Sequence, residues 1–111
     1  MIKLYGIANC DKIRAARRWL EARGHAYEFI DFKTIPPQAE WIEAWLKQHD
    51  VTQLINRRST TWRQLTPEMR ERILNGDIAA IQAHPTVFKR PLWDINGIIV
   101  IGDTQPKLLE S

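Results

Sequence analysis

One residue of this sequence has the chemistry of a nucleophile and no partner of its own kind. Cys10, in "LYGIANCDKIRAARRWL", is the only cysteine of the 111 residues, so an internal disulfide and a zinc site of several thiolates are both ruled out. The thiolate is the reactive form of cysteine, so its surroundings decide its use. Cys10 falls where an apolar stretch hands over to a helical pattern. The unpaired N–H groups of a helix's first turn and the helix dipole stabilise an anion at such a point. Lys12 and Arg14 are expected to add positive potential, and Asp11, stabilised in the first turn, to oppose it. Position alone fits a small buried structural cysteine equally well.

The other chemical candidates are basic and hydroxylic. Lysines and arginines gather in Lys12/Arg14/Arg17/Arg18, in Arg57/Arg58/Arg63 and in the pair Lys89/Arg90, within a formal net charge of +3. That excess suits anionic partners. With no RNA-recognition signature, zinc finger or long basic helix, nucleic acid is not an expected partner. "NRRSTTWRQL" reads either as an anion-binding loop, with Arg57, Arg58, Ser59, Thr60 and Thr61 as donors, or as a solvated loop anchored by Trp62. His25, His49 and His84 follow no metal-ligand spacing, so no metal site is expected. Trp41 and Trp45 read as packing, or as an exposed pair marking a partner surface.

The elements that must position these residues follow from periodicity. "IKLYGI" is a short β-favouring run closed by Gly6. Ile13, Ala16, Trp19 and Leu20 then recur at helical spacing up to Gly24. "AYEFIDF" alternates as a second strand, with Tyr27 and Phe29 on one face and Glu28 and Ile30 on the other. Strand, helix and strand in so few residues make a βαβ unit with parallel strands and a right-handed crossover.

After "KTIPPQ", a helix is expected from just past Pro37, and a loop or broken helix over Val51–Leu65. Thr66 and Pro67 start another helix, and Asp77 caps a short one that His84–Pro85 ends. "RPLWDINGIIVIGD" is a hairpin turning at Asn96–Gly97. A stub of one or two helical turns follows. The expected fold is α/β and thioredoxin-like: βαβ plus β-hairpin in a mixed four-stranded sheet. A helical insertion at about 37–84 lies between the second and third strands of a single domain, 1–111. No run is long and apolar enough for a membrane span, and Met1–Tyr5 is no signal peptide, so a cytoplasmic protein is expected.

"LYGIANCDKIRAARRWLEARGHAYEFIDF", "NRRSTTWRQL" and "HPTVFKRPL", in this order, resemble the arsenate-reductase-like family, the ArsC/Spx/YffB group, and most closely its YffB branch. The likeness runs from about Leu4 to Val100. It implies a thioredoxin-like fold with a helical insertion and a nucleophilic Cys10. Arg90 matches an oxyanion-holding arginine, and Pro91 the proline after a cis peptide, which sets the Arg90 backbone opposite Cys10 to pair with a peptide-like thiol. Asn9, Asn56, Arg57, Arg58 and Pro91 are the implied glutathione- or anion-binding residues.

Two departures from the family pattern redirect the chemistry. Asn56 stands where arsenate reductases carry a second arginine, and the "VIGDTQ" region lacks their third. Ile13 stands where the transcription-regulator branch has its second cysteine. The expectation is therefore a glutathione-dependent thiol reductase whose single cysteine, Cys10, relies on external glutathione as resolver and co-substrate, with no bound cofactor. Arsenate reduction and a non-catalytic module that binds a protein such as RNA polymerase are the alternatives.

Overall fold

The computed structural model describes residues 1–110 and divides into two compact units, residues 1–34 with 90 onward, and Ile35–Lys89. The first unit carries the sheet. Its elements are β1 (Ile2–Gly6), α1 (Asp11–Ala22), β2 (Tyr27–Asp31), β3 (Leu92–Ile95) and β4 (Ile98–Ile101). The strand order is β2-β1-β3-β4, with β1 and β2 parallel and the other two neighbouring pairs antiparallel. This is the mixed four-stranded, thioredoxin-like arrangement expected from the sequence.

Register explains which side chains form the core. Leu4 lies opposite Trp93 and Phe29, and Ile2 opposite Ile95 and Tyr27. Because strand side chains alternate, these residues share one face. Ile2, Leu4, Trp93 and Ile95 pack there with Ile13, Ala16 and Leu20 from the apolar stripe of α1. Trp93 is fully buried, and its indole Nε1 donates to the carbonyl of Asp103 at 2.7 Å. The hairpin turn is built as "NG" predicts: Asn96 and Gly97 have φ of 51° and 91°, and Asp94 Oδ1 accepts from the Gly97 N–H.

Gly6 has a role that a strand-ending glycine does not announce. A Cβ there would lie 2.5 Å from Ile13 Cδ1. Its hydrogen is what lets α1 approach the end of β1. Gly6→Ala is expected to destabilise the fold by about 1–3 kcal/mol through overpacking. Ile13→Val in the same chain should recover part of that loss. Urea unfolding of the three proteins checks both statements.

On the opposite face, Tyr5 is 2% exposed and stacks on Phe32. Burial first, then the charges of Asp94 and Glu28, push its phenol up from 10.0 to about 12. The unfolded chain therefore loses this proton at lower pH than the folded one. The stabilisation is whole below pH about 10 and fades as pH rises toward about 12. Tyr5→Phe should remove that component of alkaline destabilisation, measurable as unfolding midpoints across this window.

The second unit holds the helices α2 (Ala39–Gln48), α3 (Val51–Leu54), α4 (Thr60–Gln64), α5 (Pro67–Leu74) and α6 (Ile78–Ala83) and a 3₁₀ turn, Pro85–Val87. Thr66 and Asp77 cap α5 and α6 by accepting from Met69 N–H and Ala80 N–H, as their sequence positions predict. The stretch from Val51 to Leu65 is a broken helix. Asp50 and Gln53 form a capping box on α3, and Ser59 accepts from Trp62 N–H to start α4. Tryptophans 41 and 45 are not an exposed pair: Trp45 is 1% exposed and meets Phe88 edge-on, while Trp41 is half-buried. Among the described residues, no helix is long and apolar enough to cross a membrane.

Candidate active site

Cys10 is the N-cap of α1. Its backbone is extended, its carbonyl accepts from Arg14 N–H at 2.9 Å, and its side chain makes no capping hydrogen bond. It is a free thiol, half-buried against the α1 face of the core. Serine, threonine or aspartate here would turn inward to cap the helix. The sulfur makes no such bond, and its residue directly precedes the first turn, whose N–H groups lack partners within the helix.

Around it stand the two opposite charges that the sequence placed in this turn. Arg14 pairs with the carboxylate of Asp11, and its Nη1 donates to Asn9 Oδ1 at 3.2 Å. Arg14 and Asp11 face each other in an exposed pair, and Lys12 is the exposed cation of this turn without an ion-pair partner among the described residues. Asn9 serves as a brace for Arg14, a contact that an exposed asparagine in sequence gives no reason to expect.

Arg90 belongs to the same unit as Cys10. Its Cγ lies 3.8 Å from the point where a Cβ on Gly6 would stand, so its stem crosses the end of β1, the strand that leads through Ile7, Ala8 and Asn9 into Cys10. Among the described residues its guanidinium has no ion-pair or hydrogen-bond partner, which leaves the fork available to an oxyanion. The Arg90–Pro91 peptide is cis, and the Pro91 carbonyl accepts from Gly102 N–H at 2.7 Å. Gly6 was missed as a residue that shapes this site. The available signal was a glycine closing a strand just before a helix.

Asn56, Arg57 and Arg58 lie in the helical unit. Asn56 is a turn residue: its N–H donates to the Val87 carbonyl at 2.7 Å and its Oδ1 accepts from Arg58 N–H at 3.0 Å. Arg57 and Arg58 are exposed. His49 and His84 are the C-caps of α2 and α6. No group of three or more His, Cys, Asp or Glu side chains able to hold a metal exists among the described residues.

Strand order β2-β1-β3-β4 and a cysteine at the N-cap position of the helix that follows β1 together define a thioredoxin-like domain with a thiol at its first strand–helix junction. The chain belongs to the ArsC family, whose model matches residues 5–110. It is similar to an uncharacterized protein of Haemophilus influenzae, 30% identical over 103 residues that cover 92% of this chain and 90% of the relative. It is also 30% identical to the global transcriptional regulator Spx 2 of Bacillus cereus, over 83% of this chain and 72% of that protein. Among solved structures, a YffB protein superposes with a TM-score of 0.85 at 31% identity, covering 93% of this chain and 91% of the other. An arsenate reductase related protein of Brucella melitensis superposes with a TM-score of 0.73 at 35% identity, covering 92% and 86%.

Proposed function

We propose that this protein is a glutathione-dependent thiol reductase that works with one cysteine. The observation that carries the reading is Cys10 itself: a free, half-buried thiol at the N-cap of a 12-residue helix, with no capping bond to hold it. The Cys10 thiolate attacks the glutathionyl sulfur of a disulfide between glutathione and a substrate thiol. A Cys10–glutathione disulfide forms and the substrate leaves as its thiolate, which takes a proton from water. The thiolate of a second glutathione then attacks the glutathione sulfur of that adduct. Oxidised glutathione leaves and the Cys10 thiolate returns, so the substrate is reduced and one glutathione oxidised. Ile13, buried where a second cysteine would resolve the adduct internally, makes an external resolver necessary.

In this reading Arg90 binds a carboxylate of glutathione, the Arg90–Pro91 backbone is the docking edge for its peptide, and Asn9 lines the approach. Asn56, Arg57 and Arg58 of the helical unit are the further candidate anion-binding residues. The compartment that fits a reduced thiol and a glutathione pool is the cytoplasm. Arg90→Ala tests the assignment. The second-order rate of Cys10 modification by oxidised glutathione should fall about tenfold or more, as expected for losing a charge-assisted contact. Its rate with a small neutral disulfide should change little. Equal losses with both reagents would contradict an anion-binding role. A competing reading, arsenate reduction, draws on the name of the Brucella relative. Arsenate turnover coupled to glutathione and glutaredoxin, lost in Arg90→Ala, would favour it instead.

A further inference from the structure

The chain has 13 acidic residues, and none falls between Val51 and Pro67 or between Ile78 and Trp93. The helical unit joins parts of these two acid-free segments. Asn56 N–H donates to the Val87 carbonyl, Lys89 N–H donates to the Leu54 carbonyl at 2.8 Å, and Ile55 and Phe88 form an antiparallel bridge. The hydroxyls of Thr61 and Thr86 share a further hydrogen bond. Residues 54–63 and 86–89 are thus tied together by hydrogen bonds into one platform.

Four cations stand on it, Arg57, Arg58, Arg63 and Lys89, all exposed. None has an ion-pair or side-chain hydrogen-bond partner among the described residues, where the only ion pairs are Arg14–Asp11 and Arg72–Asp77. The neighbouring carboxylate of Asp50 accepts from Thr52 at the far end of α3. Arg70 of α5 adds a fifth positive charge, donating to the carbonyls of Trp62 and Arg63 at 3.0 and 2.8 Å. Glu68 and Glu71 are the carboxylates of α5, and neither pairs with the four.

We propose that Arg57, Arg58, Arg63 and Lys89 form a docking surface for an acidic segment of a partner protein. A single-sign field over a preformed platform steers and orients an oppositely charged partner. Its spread over two segments fits an extended series of carboxylates better than one small anion. Nucleic acid fits less well. The aromatic side chains of the platform, Trp62 and Phe88, are buried and offer no stacking surface, and α4 has only 5 residues to lay in a groove. Arg57 and Arg58 are also candidate anion-binding residues in the function proposed above, so the test turns on Arg63 and Lys89, which are not.

The experiment is fluorescence anisotropy of a labelled oligo-glutamate peptide with the full chain, with oligo-glutamine and single-stranded oligothymidylate measured alongside. Oligo-glutamate is expected to bind and oligo-glutamine not. The double variant Arg63→Gln/Lys89→Gln should weaken binding about fivefold or more, in keeping with two exposed charge contacts. The pair Lys33→Gln/Lys47→Gln, which lies outside both acid-free segments, should leave the affinity near that of the parent. Salt raised from about 0.05 M to about 0.3 M should weaken the parent more than the Arg63/Lys89 variant. Cys10→Ser should bind the peptide like the parent, and the Arg63/Lys89 variant should form the glutathione adduct at the parent rate. These last two results separate failure of this surface from failure of the thiol chemistry. Tighter binding of oligothymidylate than of oligo-glutamate would overturn the proposal. So would an unchanged affinity in the Arg63/Lys89 variant, or an equal loss in the Lys33/Lys47 variant.

Discussion

Replacing Cys10 by serine is expected to abolish disulfide reduction, by about a thousandfold or more, while leaving the fold intact. The two halves of this expectation have separate causes. A serine hydroxyl is not ionised at neutral pH and forms no stable bond to a disulfide sulfur, so the covalent intermediate is lost rather than slowed. The fold does not depend on the sulfur, because Cys10 is only half-buried and its side chain makes no capping bond. Serine is also the better N-cap, and can accept from a first-turn N–H where cysteine does not, so α1 should be slightly more stable. A coupled assay with glutathione and a mixed disulfide reads the first half, and thermal unfolding by circular dichroism reads the second. Residual turnover within a few-fold of the parent would show that the chemistry lies elsewhere.

The largest expected loss of stability is at Trp93. Its side chain is fully buried on the α1 face, opposite Leu4 in β1 and Val100 in β4, and its indole N–H bonds the Asp103 carbonyl. Trp93→Ala removes the largest side chain of that cluster and leaves a cavity between sheet and helix. It should cost about 4 kcal/mol, set against a total of about 5–15 kcal/mol for a domain of this kind. The Asp103 carbonyl also loses its partner. Trp93→Phe keeps most of the volume and forfeits chiefly the hydrogen bond, so a loss of about 1–2 kcal/mol is expected. Urea midpoints followed at a far-ultraviolet wavelength check both variants, and equal losses would place the cost in the hydrogen bond rather than in packing.

Much of this fold was legible because local signals and tertiary needs agree. Asn96–Gly97 needed positive φ and got it, Thr66–Pro67 opened α5, and the change of period from Asp11 marked the start of α1 with Cys10 just before it. Where sequence spacing leaves two outcomes open, the structure decides between them. Trp41 and Trp45 lie one helical turn apart on the same face of α2, and only the packing of Phe88 against Trp45 decides which is enclosed. The boxed cap Asp50–Gln53 carries its own signature, but α3 is 4 residues long and too short to show a period. At the site, the position of Cys10 was readable, and the neutralising Arg14–Asp11 pair was present in the sequence as an i, i+3 spacing. The closeness of Gly6 to Ile13 and Arg90 was not, because it is set by how α1 and the segment before β3 meet the end of one strand.

The most direct test of a single-cysteine, glutathione-resolved mechanism is intact-protein mass spectrometry in two steps. The chain is first treated with oxidised glutathione, then with an excess of reduced glutathione. The expected result is one glutathione adduct per chain, located at Cys10 by peptide mapping and removed in the second step. No adduct at Cys10, or an adduct that reduced glutathione leaves in place, would contradict it.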